Sequence, residues 1–164
     1  MILIDKIKGL FKKSPELPPT LPIVLTREQM QDMLRYDIVE KPPMVVNLDV
    51  GSRAWFIDKN NVPQVGTVIA ILKKGGFIVY KVRYNVKSDK NIPPEKLRKT
   101  RRAIILTEIA EHWRGVQRLY EGLQKAGSAN KAVIDYTEGK VAAHKKVISF
   151  LEAQLVPLED SNGQ

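Results

Sequence analysis

The sequence predicts an α+β fold, with a small antiparallel β domain set between an N-terminal helical arm and a C-terminal antiparallel αα-hairpin. Three observations carry this. Between residues 53 and 84, three segments rich in β-branched and aromatic residues follow one another with short polar or glycine breaks. From Arg101 onward the apolar residues recur at spacings of three and four. The charge is equally divided by region: residues 50–102 hold thirteen Lys or Arg against Asp58, Asp89 and Glu95, about +10, while all 164 residues sum to +9.

Residues 1–43 read as the arm. Leu3, Ile7, Leu10 and Phe11 stand at helical spacing with Lys6, Lys8, Lys12 and Lys13 around them, which predicts a short basic amphipathic helix. A helix this short needs something to pack on, and protein docking through those four apolar residues is expected rather than lipid, because Asp5 interrupts the polar face. The proline-rich stretch 14–22 cannot continue the helix and acts as a semi-stiff spacer. Thr26 with Gln29 forms a capping-box pattern for a second short helix, whose apolar face is expected to be Met30, Met33 and Leu34.

After Pro42 and Pro43 the period changes to that of strands, and residues 44–99 read as the β domain. Strands are expected over 53–57, 65–72 and 77–84, separated by Asp58-Lys59-Asn60-Asn61 and Lys73-Lys74-Gly75-Gly76. In the third, Ile78, Tyr80, Val82 and Tyr84 share the face that closes a small core, and Phe77, Val79, Lys81 and Arg83 share the other. Residues 91–97 predict a strand ending in a proline-started turn.

Residues 100–156 read as the hairpin. Ile105, Ile109, Trp113, Val116, Tyr120 and Leu123 line one face of a long helix, Gly127 is placed to end it, and Ser128 or Asn130 can cap the next. That next helix carries Ile134, Val141, Ile148 and Leu155 at seven-residue intervals, with Val147 and Leu151 widening the stripe. Residues 157–164 form a polar tail.

The β segments carry a resemblance. Val50-Gly51-Ser52-Arg53-Ala54-Trp55-Phe56, Gly66-Thr67-Val68-Ile69-Ala70-Ile71, Gly75-Gly76-Phe77-Ile78-Val79-Tyr80-Lys81-Val82 and Ile92-Pro93-Pro94-Glu95-Lys96-Leu97-Arg98 resemble an SH3-like small barrel of the Tudor and KOW kind, over about 50 of the 164 residues. The resemblance implies a closed antiparallel barrel and, being a fold-level analogy, no particular activity. Tudor readers enclose a methylated cation in aromatic faces. Here Trp55 or Phe56, Tyr80 and Tyr84 match cage positions, but Gln64 or Val65 stands where the second-strand aromatic belongs.

A concentrated positive field favours a polyanionic partner. The candidate residues are Lys73, Lys74, Lys81 and Arg83 on one hairpin, and Lys96, Arg98, Lys99, Arg101 and Arg102 at the entrance to the long helix. Cations there oppose the helix macrodipole, so phosphates near the first turn would explain them. Nothing suggests base specificity.

No catalytic function is expected. The chain has no nucleophile elbow and no phosphate-cradling glycine loop, and its histidines are only His112 and His144. With no cysteine it can form neither disulfides nor a thiolate cluster. Glu108 and His112 are four apart but lack a third metal ligand, so neither metal nor cofactor is expected. The expected role is a structural or adaptor component of a large assembly, of virion, connector or nucleoprotein type, located in the cytoplasm or virion. Its expected partners are protein subunits, copies of itself among them, with nucleic acid contacted through the basic face and no membrane contact. The alternative is a stand-alone nonspecific DNA- or RNA-binding protein. Apolar runs fall far short of the ~18 residues that span a bilayer, and the N-terminus lacks the features of a signal peptide.

Overall fold

In the computed structural model, which describes residues 23–43, 47–126 and 130–155, three helices and one sheet pack around two neighbouring apolar cores. Helix α1 (Arg27–Ile38) precedes four strands, β1 (Arg53–Ile57), β2 (Pro63–Lys74), β3 (Phe77–Asn85) and β4 (Ser88–Ile92). A single 3-10 turn (Pro94–Lys96) leads into α2 (Arg101–Ala126) and then α3 (Lys131–Ala153). The order is α+β as the sequence predicts.

The sheet is antiparallel in the order β1-β2-β3-β4, and it is open. The closed barrel implied by the resemblance is therefore corrected: β1 and β4 are each five residues long and do not pair with one another. One further contact touches β1, an antiparallel bridge from Trp55 to Arg98 beyond the 3-10 turn. Ala54, Phe56, Val68, Tyr80, Val82 and Ile92 bury on one side with Leu48 and Leu97, giving the sheet a core of its own. On β3 the expected inner face is only half covered, since Tyr80 and Val82 are buried while Ile78 and Tyr84 near the strand ends are exposed. The β2–β3 ribbon outruns its neighbours at the Ile78 end, whereas Tyr84 at the other end meets Phe56 edge-on.

Gly66 shows why a residue without a side chain stands in the middle of β2. A Cβ there would lie 2.5 Å from Val82 Cγ1 and 2.8 Å from the Arg83 carbonyl oxygen, so the strands could not keep their spacing. Gly75 and Gly76 both have positive φ, which the two-residue turn between β2 and β3 requires.

The helices build the second core. Ile105, Ile109, Trp113, Val116, Tyr120 and Leu123 of α2 are buried against Val141, Ile148 and Leu151 of α3, with Ile134, Val147 and Leu155 half-buried beside them. The Arg101 guanidinium donates to the Gln154 carbonyl oxygen at 2.9 Å, so the start of α2 meets the end of α3 and the pair is antiparallel. Asn130 caps α3 by accepting the Ala132 N–H; Gly127 and Ser128 lie outside the described residues. Trp55 and Ile57 on the other side of β1 pack into this helical core and join it to the sheet.

Helix α1 starts at Thr26 with both hydrogen bonds of the capping box in place. Its packing face differs from the expected one. Leu25, Met33, Tyr36 and Val39 reach the helical core, while Met30 and Leu34 are exposed and Asp32 is buried in their stead. The reason lies 113 residues away: Lys145 of α3 donates to Asp32 Oδ2 at 2.7 Å, which compensates the buried carboxylate. Gln29 to Glu138 and Gln117 to Asp37 add polar links that seat α1 on both other helices.

Candidate functional site

Strand alternation decides which cations act together. The register pairs Lys74 with Phe77, Leu72 with Val79, Ala70 with Lys81 and Thr67 with Arg83, so Lys74, Phe77, Lys81 and Arg83 stand on one face of the β2–β3 ribbon. Lys73 pairs with Ile78 and belongs to the opposite face. Lys73 and Lys74 are exposed, Lys81 is half-buried, and Phe77 is 76% exposed beside Lys74. Arg83 grips Asp89 with Nε to Oδ1 at 2.9 Å and Nη2 to Oδ2 at 3.3 Å, and this hydrogen bonding holds the Asp89 carboxyl below its ordinary range. The pair is exposed, so the energy holding Arg83 there is small.

The second expected cluster is dispersed. Lys96 and Lys99 are exposed. Arg98 is only 4% exposed, and its Nη1 donates to the carbonyl oxygens of Leu97 at 2.6 Å, Glu95 at 3.1 Å and Pro94 at 3.5 Å. It ties down the 3-10 turn and cannot meet a large polyanion. Its Nε is buried with no partner, a state that costs about 1 to 3 kcal/mol for a donor. Arg101 sits at the start of α2, yet its charge meets the carbonyl end of antiparallel α3, where the partial charge is negative. The unfavourable dipole that pointed to phosphates is thereby offset within the fold. Arg102 reaches Glu40 at 3.4 Å across the surface. Leu3, Ile7, Leu10 and Phe11, the expected docking residues, lie outside the described residues.

The aromatic positions of the Tudor pattern fall on two sides of the sheet. Trp55 packs toward the helices, whereas Phe56 and Tyr80 belong to the sheet core, and Tyr84 meets Phe56 edge-on at 5.5 Å. The chain's own Lys90 lies 5.7 Å from the Phe56 ring centre. Trp55 therefore cannot share a cage with Tyr80 and Tyr84.

No family model, curated protein or solved structure matches this chain.

One pairing escaped the sequence reading. His144 of α3 meets His112 of α2 with their Nδ1 atoms 2.9 Å apart, and Glu108 Oε1 stands 3.7 Å from His112 Nε2. Gly115 makes room for the His144 ring, which a Cβ would meet at 2.7 Å. Glu108 faces the far nitrogen of His112, so these three side chains cannot converge on one metal, and among the described residues no cluster of metal-ligating groups occurs. The Nδ1 contact needs one donor and one acceptor, hence at least one neutral ring. Burial lowers both pKa values from the usual 6.5. Glu108 and Glu111 oppose the shift at His112, the His144 and Lys96 charges reinforce it there, and Lys140 reinforces it at His144.

Because the unfolded chain then binds more protons, stability is full above about pH 6.5 and falls as the pH drops below it. The melting temperature is expected to be level from pH 8 to 7 and to decline from pH 6.5 to 5.5, with the decline flattened in His112→Gln/His144→Gln. Parallel curves for the two proteins would assign the pH dependence to other groups.

Proposed function

We propose that this chain is a non-catalytic structural or adaptor protein of a macromolecular assembly of virion, connector or nucleoprotein type, and that its sheet contacts nucleic acid or another polyanion without base specificity. The observation that carries this reading is the ribbon face that Lys74, Lys81 and Arg83 share with an exposed Phe77, which stands opposite Lys74. Cations tracking phosphates beside an aromatic on which a base can stack are the common means of sequence-tolerant binding. The assembly part is supported by α1, where Met30, Leu34 and Ile38, four residues apart, form an exposed apolar stripe that ends at Ile38, 74% exposed. Kinship with SH3-like modules is supported by the 3-10 turn and the Trp55 to Arg98 bridge, which lays a further extended segment on β1.

The salt dependence of binding tests the polyanion contact. With four to six phosphates neutralised, the logarithm of the binding constant for duplex DNA should fall against log salt with a slope of about −3.6 to −5.4, equally for unrelated sequences. A slope near zero, or a strong preference for one sequence, would overturn the reading. The alternative, a stand-alone DNA- or RNA-binding protein, gives the same slope with a native mass equal to that of one chain.

A further inference from the structure

A second basic feature lies away from the ribbon. Between the end of α1, the first half of α2 and the bridge residue Arg98 is a cavity of about 90 Å³, whose lining includes Arg98, Arg114, Lys41, Tyr36, Thr107 and Glu111. Three cations from three parts of the chain meet there. Lys41 Nζ lies 4.4 Å and the Arg114 guanidinium 5.7 Å from the centre of the Tyr36 ring, which brings the two charges to the same wall. Arg98 is nearly fully buried, its three side-chain hydrogen bonds all leave from Nη1, and its Nε has no partner. Glu111 is the one acid of the lining and stands exposed, so the cavity keeps two positive charges in excess. The Thr107 hydroxyl proton is already given to the Ala103 carbonyl oxygen at 2.7 Å, so the side-chain donors left in the lining are those of the three cations and the Tyr36 hydroxyl.

We propose that this cavity binds a single phosphate group. The volume decides the ligand class. It holds a few waters or one tetrahedral oxyanion, and is well below the ~300 Å³ at which sites for drug-sized ligands begin, so a base or sugar cannot follow the anion inside. The charge decides the sign: an anion relieves the repulsion among Arg98, Arg114 and Lys41. A carboxylate would satisfy one arginine fork, whereas a phosphate has oxygens for all three cations. The site is independent of the ribbon, and either reading can fail alone.

The test is thermal unfolding of the full chain at pH 7.5 in inorganic phosphate against sodium chloride of equal ionic strength. Phosphate should raise the melting temperature with the logarithm of its concentration once that exceeds Kd, by about 3 to 6 °C at ten times Kd. Lys41→Gln, at an exposed side chain that leaves the core intact, and Arg114→Gln should each weaken the effect several-fold. Glu111→Gln should strengthen it, a change that no loss of packing would produce. Lys74→Glu/Lys81→Glu should leave it unaltered, which separates this site from the ribbon. No rise beyond that in sodium chloride, or one undiminished in both Lys41→Gln and Arg114→Gln, overturns the proposal. Phosphorus NMR then checks the size limit: bound inorganic phosphate should persist when a short duplex is added, and its displacement would overturn a cavity that admits only the free ion.

Discussion

Trp113→Ala is expected to destabilise the protein by about 3 to 5 kcal/mol, the cost of deleting a large buried aromatic and leaving a cavity behind. Trp113 is 7% exposed in the helical core, amid Ile109 and Val116 of its own helix and residues of α1 and α3. The Arg35 guanidinium lies 5.6 Å from the centre of its ring, so the substitution also removes a contact that ties α1 to α2. For a chain of 164 residues the loss should appear as a fall in melting temperature of roughly 6 to 20 °C, and Trp113→Phe should recover much of it. A change within about 0.5 kcal/mol in urea unfolding would mean that α2 turns this face to a partner and that the helical core is wrong.

That core was legible because its signal is local. Six buried positions of α2 repeat within a window of nineteen residues, and the stripe on α3 keeps a seven-residue interval. Turn chemistry was equally readable, in the capping box at Thr26 and the paired glycines at 75 and 76. For helix α1 the sequence predicts the right type and places Met33 correctly, but Met30 and Leu34 wrongly. Its Met and Leu residues outnumber the buried ones, but the choice of face rests on Lys145, which no window around α1 contains. Sheet closure failed for a related reason: β propensity marks strands and turns, and whether two short edge strands meet depends on twist and length summed over the whole sheet.

The candidate site shows the same division. Period-two alternation separates Lys81 and Arg83 from the core face of β3 in advance, and the register keeps Lys74 with them and removes Lys73. The run from Lys96 to Arg102 read as one basic patch because charge is visible in a sequence and its compensation is not. Arg98 turns inward to three carbonyl oxygens, and Arg101 meets the end of a helix 53 residues away. Likewise the partner of His112 is 32 residues distant, on a helix whose facing is fixed only once the two stripes pack.

Lys74→Glu/Lys81→Glu is expected to weaken duplex DNA binding by about 200-fold at 50 mM salt, since each phosphate contact is worth roughly 15-fold there at a slope of 0.9 per contact. The slope of log K against log salt should shallow by about 1.8, and the loss should be uniform across sequences, as befits contacts to the backbone. Lys73→Glu serves as the internal comparison. It lies on the opposite face, so its effect should be that of a nearby charge, weaker than half of the double variant's and without a full unit of slope. Phe77→Ala should preserve the slope while lowering affinity for single strands by the ~1 to 3 kcal/mol of one stacked base, because removing a ring leaves the counterion balance untouched. All four side chains stand away from the buried core of the sheet, so the variants should melt close to the parent and their losses report binding alone. Unchanged affinity in the double variant at low salt would take the ribbon out of the interface. A loss as large in Lys73→Glu would show that the protein reads total charge rather than this face.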